Sequence, residues 1–102
     1  MNSLREDGLI QNRMVRVYGR VQSVGYREAC VCRARALGIT GWVRNRVDGS
    51  VDVMLQGSPE QLADMCNWLR DGISAAVDDK LEVTQVPPPS PGFERFDRLP
   101  TL

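Results

Sequence analysis

Residues 14–38 read MVRVYGRVQSVGYREACVCRARALG, and a change of period inside this stretch decides the fold. Val15, Val17 and Gly19 recur at every second position within a β-branched run from Met14 to Val21, which predicts a strand with one buried face. From Tyr26 onward the apolar positions become Tyr26, Cys30, Ala34 and Leu37, the i, i+4, i+8, i+11 spacing of one helix face. Gly38 then supplies a residue that can take the left-handed torsions closing a helix. A strand that feeds a helix through a short glycine-bearing connection begins a β-α-β unit.

Downstream the same logic continues. Thr40 to Asn45 reads as a short strand, and Val51, Val53 and Leu55 alternate in the next one. Between them Val47-Asp48-Gly49-Ser50 carries the Asp-Gly signal of a tight hairpin. Ser58-Pro59-Glu60-Gln61 opens a second helix with an N-cap serine, proline at the first helical position and glutamine three residues after the cap. Leu62, Met65, Cys66, Leu69 and Ile73 form its apolar stripe. Gly72 is expected to end the regular helix and leave Ile73 in the exit turn. Leu81 to Val86 alternates again, and Pro87 to Gly92 is too rich in proline for anything but an extended loop. Phe93 to Leu99 allows a last edge strand in either of two registers, anchored on Phe93 or on Phe96. The order β-α-β-β-α-β predicts an α+β, ferredoxin-like sandwich, two helices on one face of a mainly antiparallel sheet with a short fifth edge strand. Residues 1–12 are expected to be a flexible tail, 13–98 one domain and 99–102 a C-terminal tail.

Composition narrows the chemistry. The 102 residues suit one domain, and a chain this size buries roughly 60–70% of the surface its unfolded form exposes. There is no histidine, which removes Ser-His-Asp and Cys-His catalysis and imidazole metal ligation. Cys30, Cys32 and Cys66 are odd in number and lack C-x-x-C spacing, so they are expected to be buried small apolar side chains in a reducing cytoplasm. Residues 1–12 contain Glu6 and Asp7 and no apolar core of a secretory signal. No run approaches the ~18 apolar residues of a membrane span. Net charge is zero but unevenly spread. Between Arg13 and Arg46 eight arginines face the single acid Glu28, whereas Val47 to Glu82 holds eight acids against Arg70 and Lys80. The basic half can attract an anion, while the balanced whole argues against nucleic-acid binding driven by charge alone.

The connection Gly19-Arg20-Val21-Gln22-Ser23-Val24-Gly25-Tyr26-Arg27 is where an anion would go. Amides at a helix N-terminus lack intrahelical acceptors and carry partial positive charge, and a glycine-bearing turn can curl further amides towards the same point. Arg27 falls in the first helical turn, where a cation is locally unfavourable by about 0.3–1 kcal/mol unless an anion sits between it and the amides. The bland alternative is a surface arginine after an ordinary turn. The loop has neither G-x-G-x-x-G nor a G-K-[ST] ending, so no nucleotide fingerprint supports it.

Gly19 to Arg27 resembles the acylphosphatase signature G-x-V-Q-G-V-x-[FY]-R, and Gly41-Trp42-Val43-Arg44-Asn45 with Asp48-Gly49-Ser50-Val51 resembles that family's second signature, G-W-V-x-N-x-x-D-G-x-V. The resemblance spans Met14 to Phe96. It implies the ferredoxin-like fold and hydrolysis of acyl phosphates to a carboxylate and inorganic phosphate. It implies that Arg27 binds and neutralises the phosphoryl group, that amides of Gln22, Ser23, Val24, Gly25 and Tyr26 complete the cradle, and that Asn45 orients the attacking water. On its residue type alone Asn45 would pass for a strand-end or turn residue. Trp42 and Val43 are expected in the core. Ser23 stands where the family usually has glycine. At positive φ a serine would strain the loop, and otherwise its hydroxyl adds a donor facing the phosphate.

The residue inventory agrees with that chemistry. An acyl phosphate releases a carboxylate, the conjugate base of an acid of pKa about 4, so no general acid is essential. Phosphoryl transfer needs positioning and charge stabilisation above all. The expected protein is a cytoplasmic, cofactor-free and metal-free monomer whose partners are a small acyl phosphate and phosphate, with carbamoyl phosphate, acetyl phosphate and the acyl phosphate of bisphosphoglycerate as candidates, and no nucleic acid or membrane. Two other readings share the fold. One is a non-catalytic anion-binding module. The other is a small RNA-binding domain, disfavoured because Val51 to Leu55 has no aromatic residue to stack on bases.

Overall fold

A computed structural model describes residues 10–18, 25–71, 80–87 and 92–101. Five strands form one sheet: β1 (Gln11–Tyr18), β2 (Thr40–Asn45), β3 (Val51–Gly57), β4 (Lys80–Val86) and β5 (Phe96–Arg98), in the order β4-β1-β3-β2-β5. Helices α1 (Tyr26–Leu37) and α2 (Pro59–Asp71) cover one face. This is the β-α-β-β-α-β sandwich that the sequence predicts, with the fifth strand present.

Strand alternation decides what faces the helices. Val15 and Val17 of β1, Val51, Val53 and Leu55 of β3, and Val43 of β2 are fully buried against Val31 and Ala34 of α1 and Leu62, Met65 and Leu69 of α2. Each of the valine, leucine and methionine side chains among them contributes about 1.5–3 kcal/mol relative to leaving it in water. Gly41 has no room for a side chain, because a Cβ there would fall onto the Met54 carbonyl oxygen of β3. β2 and β3 therefore pair closely at that point.

Both helix ends follow local rules. Gly38 closes α1 in the left-handed conformation, its N–H donating to the Arg35 carbonyl at 3.1 Å. Ser58 and Gln61 form the reciprocal cap of α2. The Gln61 amide donates to Ser58 Oγ at 3.2 Å, and the Ser58 amide donates to Gln61 Oε1 at 2.8 Å. Gln61 Nε2 also donates to the Leu37 carbonyl at 2.9 Å, tying the start of α2 to the end of α1.

Three expectations change, and the open choice of register for β5 is decided. β1 begins at Gln11, inside the stretch expected to be tail, and Asn12 is buried beside Gln56, whose Nε2 donates to Asn12 Oδ1 at 3.0 Å. β5 pairs in parallel with β2 and takes the Phe96 register, opposite Gly41, since Phe96 fills the core while Phe93 stays half-buried. Trp42 is on the open side of the sheet rather than in the core, with the Arg44 guanidinium 4.6 Å from its ring centroid. Cys30 and Cys66 are buried as expected, but Cys32 is exposed, because it sits two residues after Cys30 and so faces away from the sheet. The helix exit at Gly72 and Ile73, the loop after Pro87 up to Pro91, and strand positions 19–21 lie outside the described residues. No helix among the described residues is long and apolar enough to cross a membrane.

Removing the cap hydroxyl with Ser58→Ala is expected to lower unfolding stability by about 1 kcal/mol, measured as a shift in the urea midpoint at unchanged slope.

Candidate active site

β3 is antiparallel to both of its neighbours, so β1 and β2 run the same way and end at the same edge of the sheet. At that edge Asn45 pairs with Val51, which in turn pairs with Val17. Val51 and Val17 are core residues, so Asn45 shares their row on the helix-covered side. α1 starts at the same edge, after the connection that follows β1.

Gly25 is the N-cap of α1, at φ +87°, and offers no side-chain cap. Space is no constraint there, since nothing lies within 4 Å of where a Cβ would be. The backbone angle alone favours glycine. The Gly25 carbonyl accepts the Ala29 N–H at 2.9 Å, which begins the helical ladder and leaves the amides of Tyr26, Arg27 and Glu28 without an intrahelical acceptor. Tyr26 turns its half-buried ring into the core above Cys30. Burial, reinforced by the Cys30 thiol, pushes the phenol well above its ordinary range. Burial also pushes the Cys30 thiol up to about 12, against a smaller opposing effect of Tyr26. Neither side chain is an acid or base near neutral pH, so Tyr26 contributes a packed ring and a backbone amide.

Arg27 is half-buried, and its Nη1 donates to the Leu99 carbonyl at 3.1 Å. The Leu99 N–H in turn donates to the Val43 carbonyl at 2.8 Å, two residues before Asn45 on β2. Two strand residues span roughly 7 Å. Arg27 and Asn45 therefore belong to one neighbourhood, joined through Leu99 and Val43. Leu99, expected to be the first residue of a tail, is a fixed link in that chain. Glu28 and Arg98 approach to 3.3 Å beside it, and Arg35 Nη2 donates to the Phe96 carbonyl at 3.0 Å, so β5 is fastened to α1 along its length. Of the residues expected at the site, Arg27, Asn45, Gly25 and Tyr26 are described. Gln22, Ser23 and Val24 lie outside the described residues, and with them the question of torsion at Ser23.

The hairpin after Asn45 is closed tightly. The Arg46 N–H donates to the Ser50 carbonyl at 2.8 Å and the Gly49 N–H to the Arg46 carbonyl at 3.1 Å. Asp48 Oδ1 accepts both the Ser50 amide at 2.9 Å and the Ser50 hydroxyl at 2.6 Å. These two hydrogen bonds, with smaller help from Arg46 and Arg16, hold the Asp48 carboxyl below its ordinary range. On the open side, Asp52 accepts from Arg16 and Arg46. Sequence reasoning singles out only Arg27 among the arginines and misses these contacts to Asp52. The Asp-Gly turn puts Arg44, not Arg46, opposite Asp52, so the hairpin register carries no signal for these contacts.

Residues 13–97 match the family model described as acylphosphatase. The chain is 67% identical to an acylphosphatase from Polaromonas naphthalenivorans over 97 residues, covering 95% of this chain and 96% of that protein. It is 58% identical over its full length to acylphosphatase 1 of Ralstonia nicotianae, which it also covers in full. A solved acylphosphatase structure from Coxiella burnetii superposes with a TM-score of 0.81 over 97% of this chain and 100% of that one, at 24% identity, a likeness of fold.

Two measurements check this geometry. A thiol reagent at pH 8 should label Cys32 rapidly in the native protein, with Cys30 and Cys66 reacting only after denaturant is added. Because the Asp48 pKa is depressed on folding, its stabilisation of the hairpin is complete above the unfolded value of about 3.9 and is lost as pH falls through the lower folded value. Asp48→Asn should therefore flatten the acid limb of the stability–pH curve.

Proposed function

The chain belongs to the acylphosphatase family, and from that membership we propose that it hydrolyses acyl phosphates with Arg27 and the α1 amides holding the phosphoryl group and Asn45 orienting the attacking water. The observation that supports these roles is the Arg27–Leu99–Val43 chain of hydrogen bonds, which brings the helix-borne guanidinium to the strand end that carries Asn45. The loop amides of Gln22, Ser23 and Val24 complete the cradle in this reading.

The Leu99 carbonyl uses one of five guanidinium donors. Among the described residues the others have no partner and are left for a phosphoryl group, which arginine can grip with two parallel hydrogen bonds. A phosphoryl group between Arg27 and the orphan amides of Tyr26, Arg27 and Glu28 is bound by dipoles and charge fixed before the reaction, so their reorganisation adds nothing to the barrier. Asn45 then holds a water in line with the scissile bond and lowers the entropic part of the barrier. The water oxygen bonds to phosphorus, and the P–O bond to the acyl group breaks. The carboxylate leaves with the bonding pair, and the water's proton passes to a phosphate oxygen, so the substrate is its own base. The enzyme acts in this proposal as a cytoplasmic, metal-independent monomer on a small acyl phosphate.

Benzoyl phosphate hydrolysis tests the assignment. Arg27→Ala should lose both inhibition by inorganic phosphate and about 10³-fold or more in turnover, the scale set by a transition-state arginine. Asn45→Ala should lose roughly 10²-fold in kcat while phosphate still inhibits. Full activity in either variant would remove the assigned role. Turnover is expected to survive a chelator, and a simple alkyl phosphate, with its poorer leaving group, should turn over far more slowly.

A further inference from the structure

Asn45 leaves β2 with both of its sequence neighbours fixed on the opposite side of the sheet. Arg44 faces Asp52 in register and stacks over Trp42. Arg46 reaches the same carboxylate, its Nη1 donating to Asp52 Oδ2 at 3.3 Å, while its Nε lies 3.8 Å from Asp48 Oδ2. Asp52 is a firm anchor. Its side chain is 3% exposed, and Arg16 clamps it with two bonds, Nε to Oδ1 at 2.7 Å and Nη2 to Oδ2 at 3.1 Å. That bidentate pair already balances the buried charge. Arg46 is thus surplus to neutralisation, and what it adds is a tether between the residue after Asn45 and the middle of β3.

We propose that Arg46 is a positioning residue for the hydrolytic reaction: by holding Asp52 from the open face, it fixes the end of β2 so that the Asn45 amide keeps its direction on the helix-covered face. This inference rests on the reading of Asn45 given above. Asn45 and Arg46 point to opposite faces, so a twist of the chain at the end of β2 that displaces the Arg46 side chain on the open face also displaces Asn45 on the helix-covered face. The Arg46 N–H bond to Ser50 restrains the main chain at one point, and the side-chain bond to Asp52 adds a second restraint from the open face.

The test uses the full chain and four variants: Arg46→Gln, Arg46→Lys, Asn45→Ala and the double variant Arg46→Gln/Asn45→Ala. Arg46→Gln should lower kcat for benzoyl phosphate by roughly 10- to 100-fold, the scale of a misplacement of about 1 Å, with the phosphate inhibition constant unchanged. Arg46→Lys should recover most of the loss, because an ammonium still reaches Asp52. In the Asn45→Ala background Arg46→Gln should cause no further loss. Wild-type kcat in Arg46→Gln, or a loss carried undiminished into the Asn45→Ala background, overturns the inference. Wild-type kcat in Asn45→Ala alone instead removes the role of Asn45 itself, so the two failures are distinct. Retained phosphate inhibition reports that a variant is folded. If Arg46→Gln does not fold, Asp52→Asn takes its place: it should show the same loss of kcat, and unchanged kcat there counts against the tether.

Discussion

The antiparallel pairing of β3 with both β1 and β2 is the constraint on which everything else in this molecule depends. It makes β1 and β2 parallel to each other without hydrogen bonds between them, and it delivers their ends to one edge of the sheet. The same pairing sorts every neighbouring residue to a side. Val17, Val51 and Asn45 share the helix-covered row, whereas Arg16, Asp52 and Arg44 share the adjacent row on the open face. The pairing is itself enforced by close approach, since Gly41 admits the β3 backbone where any side chain would not. Cores and sites are usually discussed apart, but here a single register defines both.

That register also explains how the sheet tolerates a buried carboxylate. Asp52 is central in the sheet, and Arg16 is directly opposite it on β1, so a bidentate pair forms without distorting either strand. The pair keeps the Arg16 guanidinium protonated far above its ordinary range, mainly through its bond to Asp52. Glu82 follows on β4, opposite Arg16, and accepts the Tyr18 hydroxyl at 3.0 Å. Charge therefore alternates across four strands, Arg44, Asp52, Arg16 and Glu82, which favours this register over any slip by one residue.

What was legible in the sequence is what is encoded locally. Gly38, Ser58 and Gln61 announce helix ends within four residues of themselves, and the Asp48-Gly49 turn fixes its hairpin with no help from elsewhere. The fold followed from these signals together with two hydrophobic periods. Arg27 and Asn45 were legible through motif resemblance, because residue type alone does not separate Asn45 from a turn asparagine. The Arg46–Asp52 tether and the Leu99 carbonyl were not read. Each joins residues through pairings that the chain acquires only when folded, and Leu99 lies 72 positions from the arginine that it holds. Trp42 misled for a related reason. Its size argues for burial, but its parity relative to Val43 puts it on the open face, where the Arg44 guanidinium covers it instead of the core.

The Leu99 carbonyl bears on why an arginine in the first turn of a helix is tolerable at all. The dipole of α1 disfavours a cation there, and a carboxylate partner would remove that cost but, in the role proposed for Arg27, would compete with a phosphoryl group for the same charge. A neutral carbonyl is a compromise between these demands. It orients the guanidinium with one hydrogen bond and withdraws no net charge from it. Glu28, the acid next in sequence, lies 3.3 Å from Arg98 instead. Fastening β5 along α1 thus does two things with one set of contacts: it completes the sheet beside β2, and it orients a guanidinium that has no carboxylate partner among the described residues.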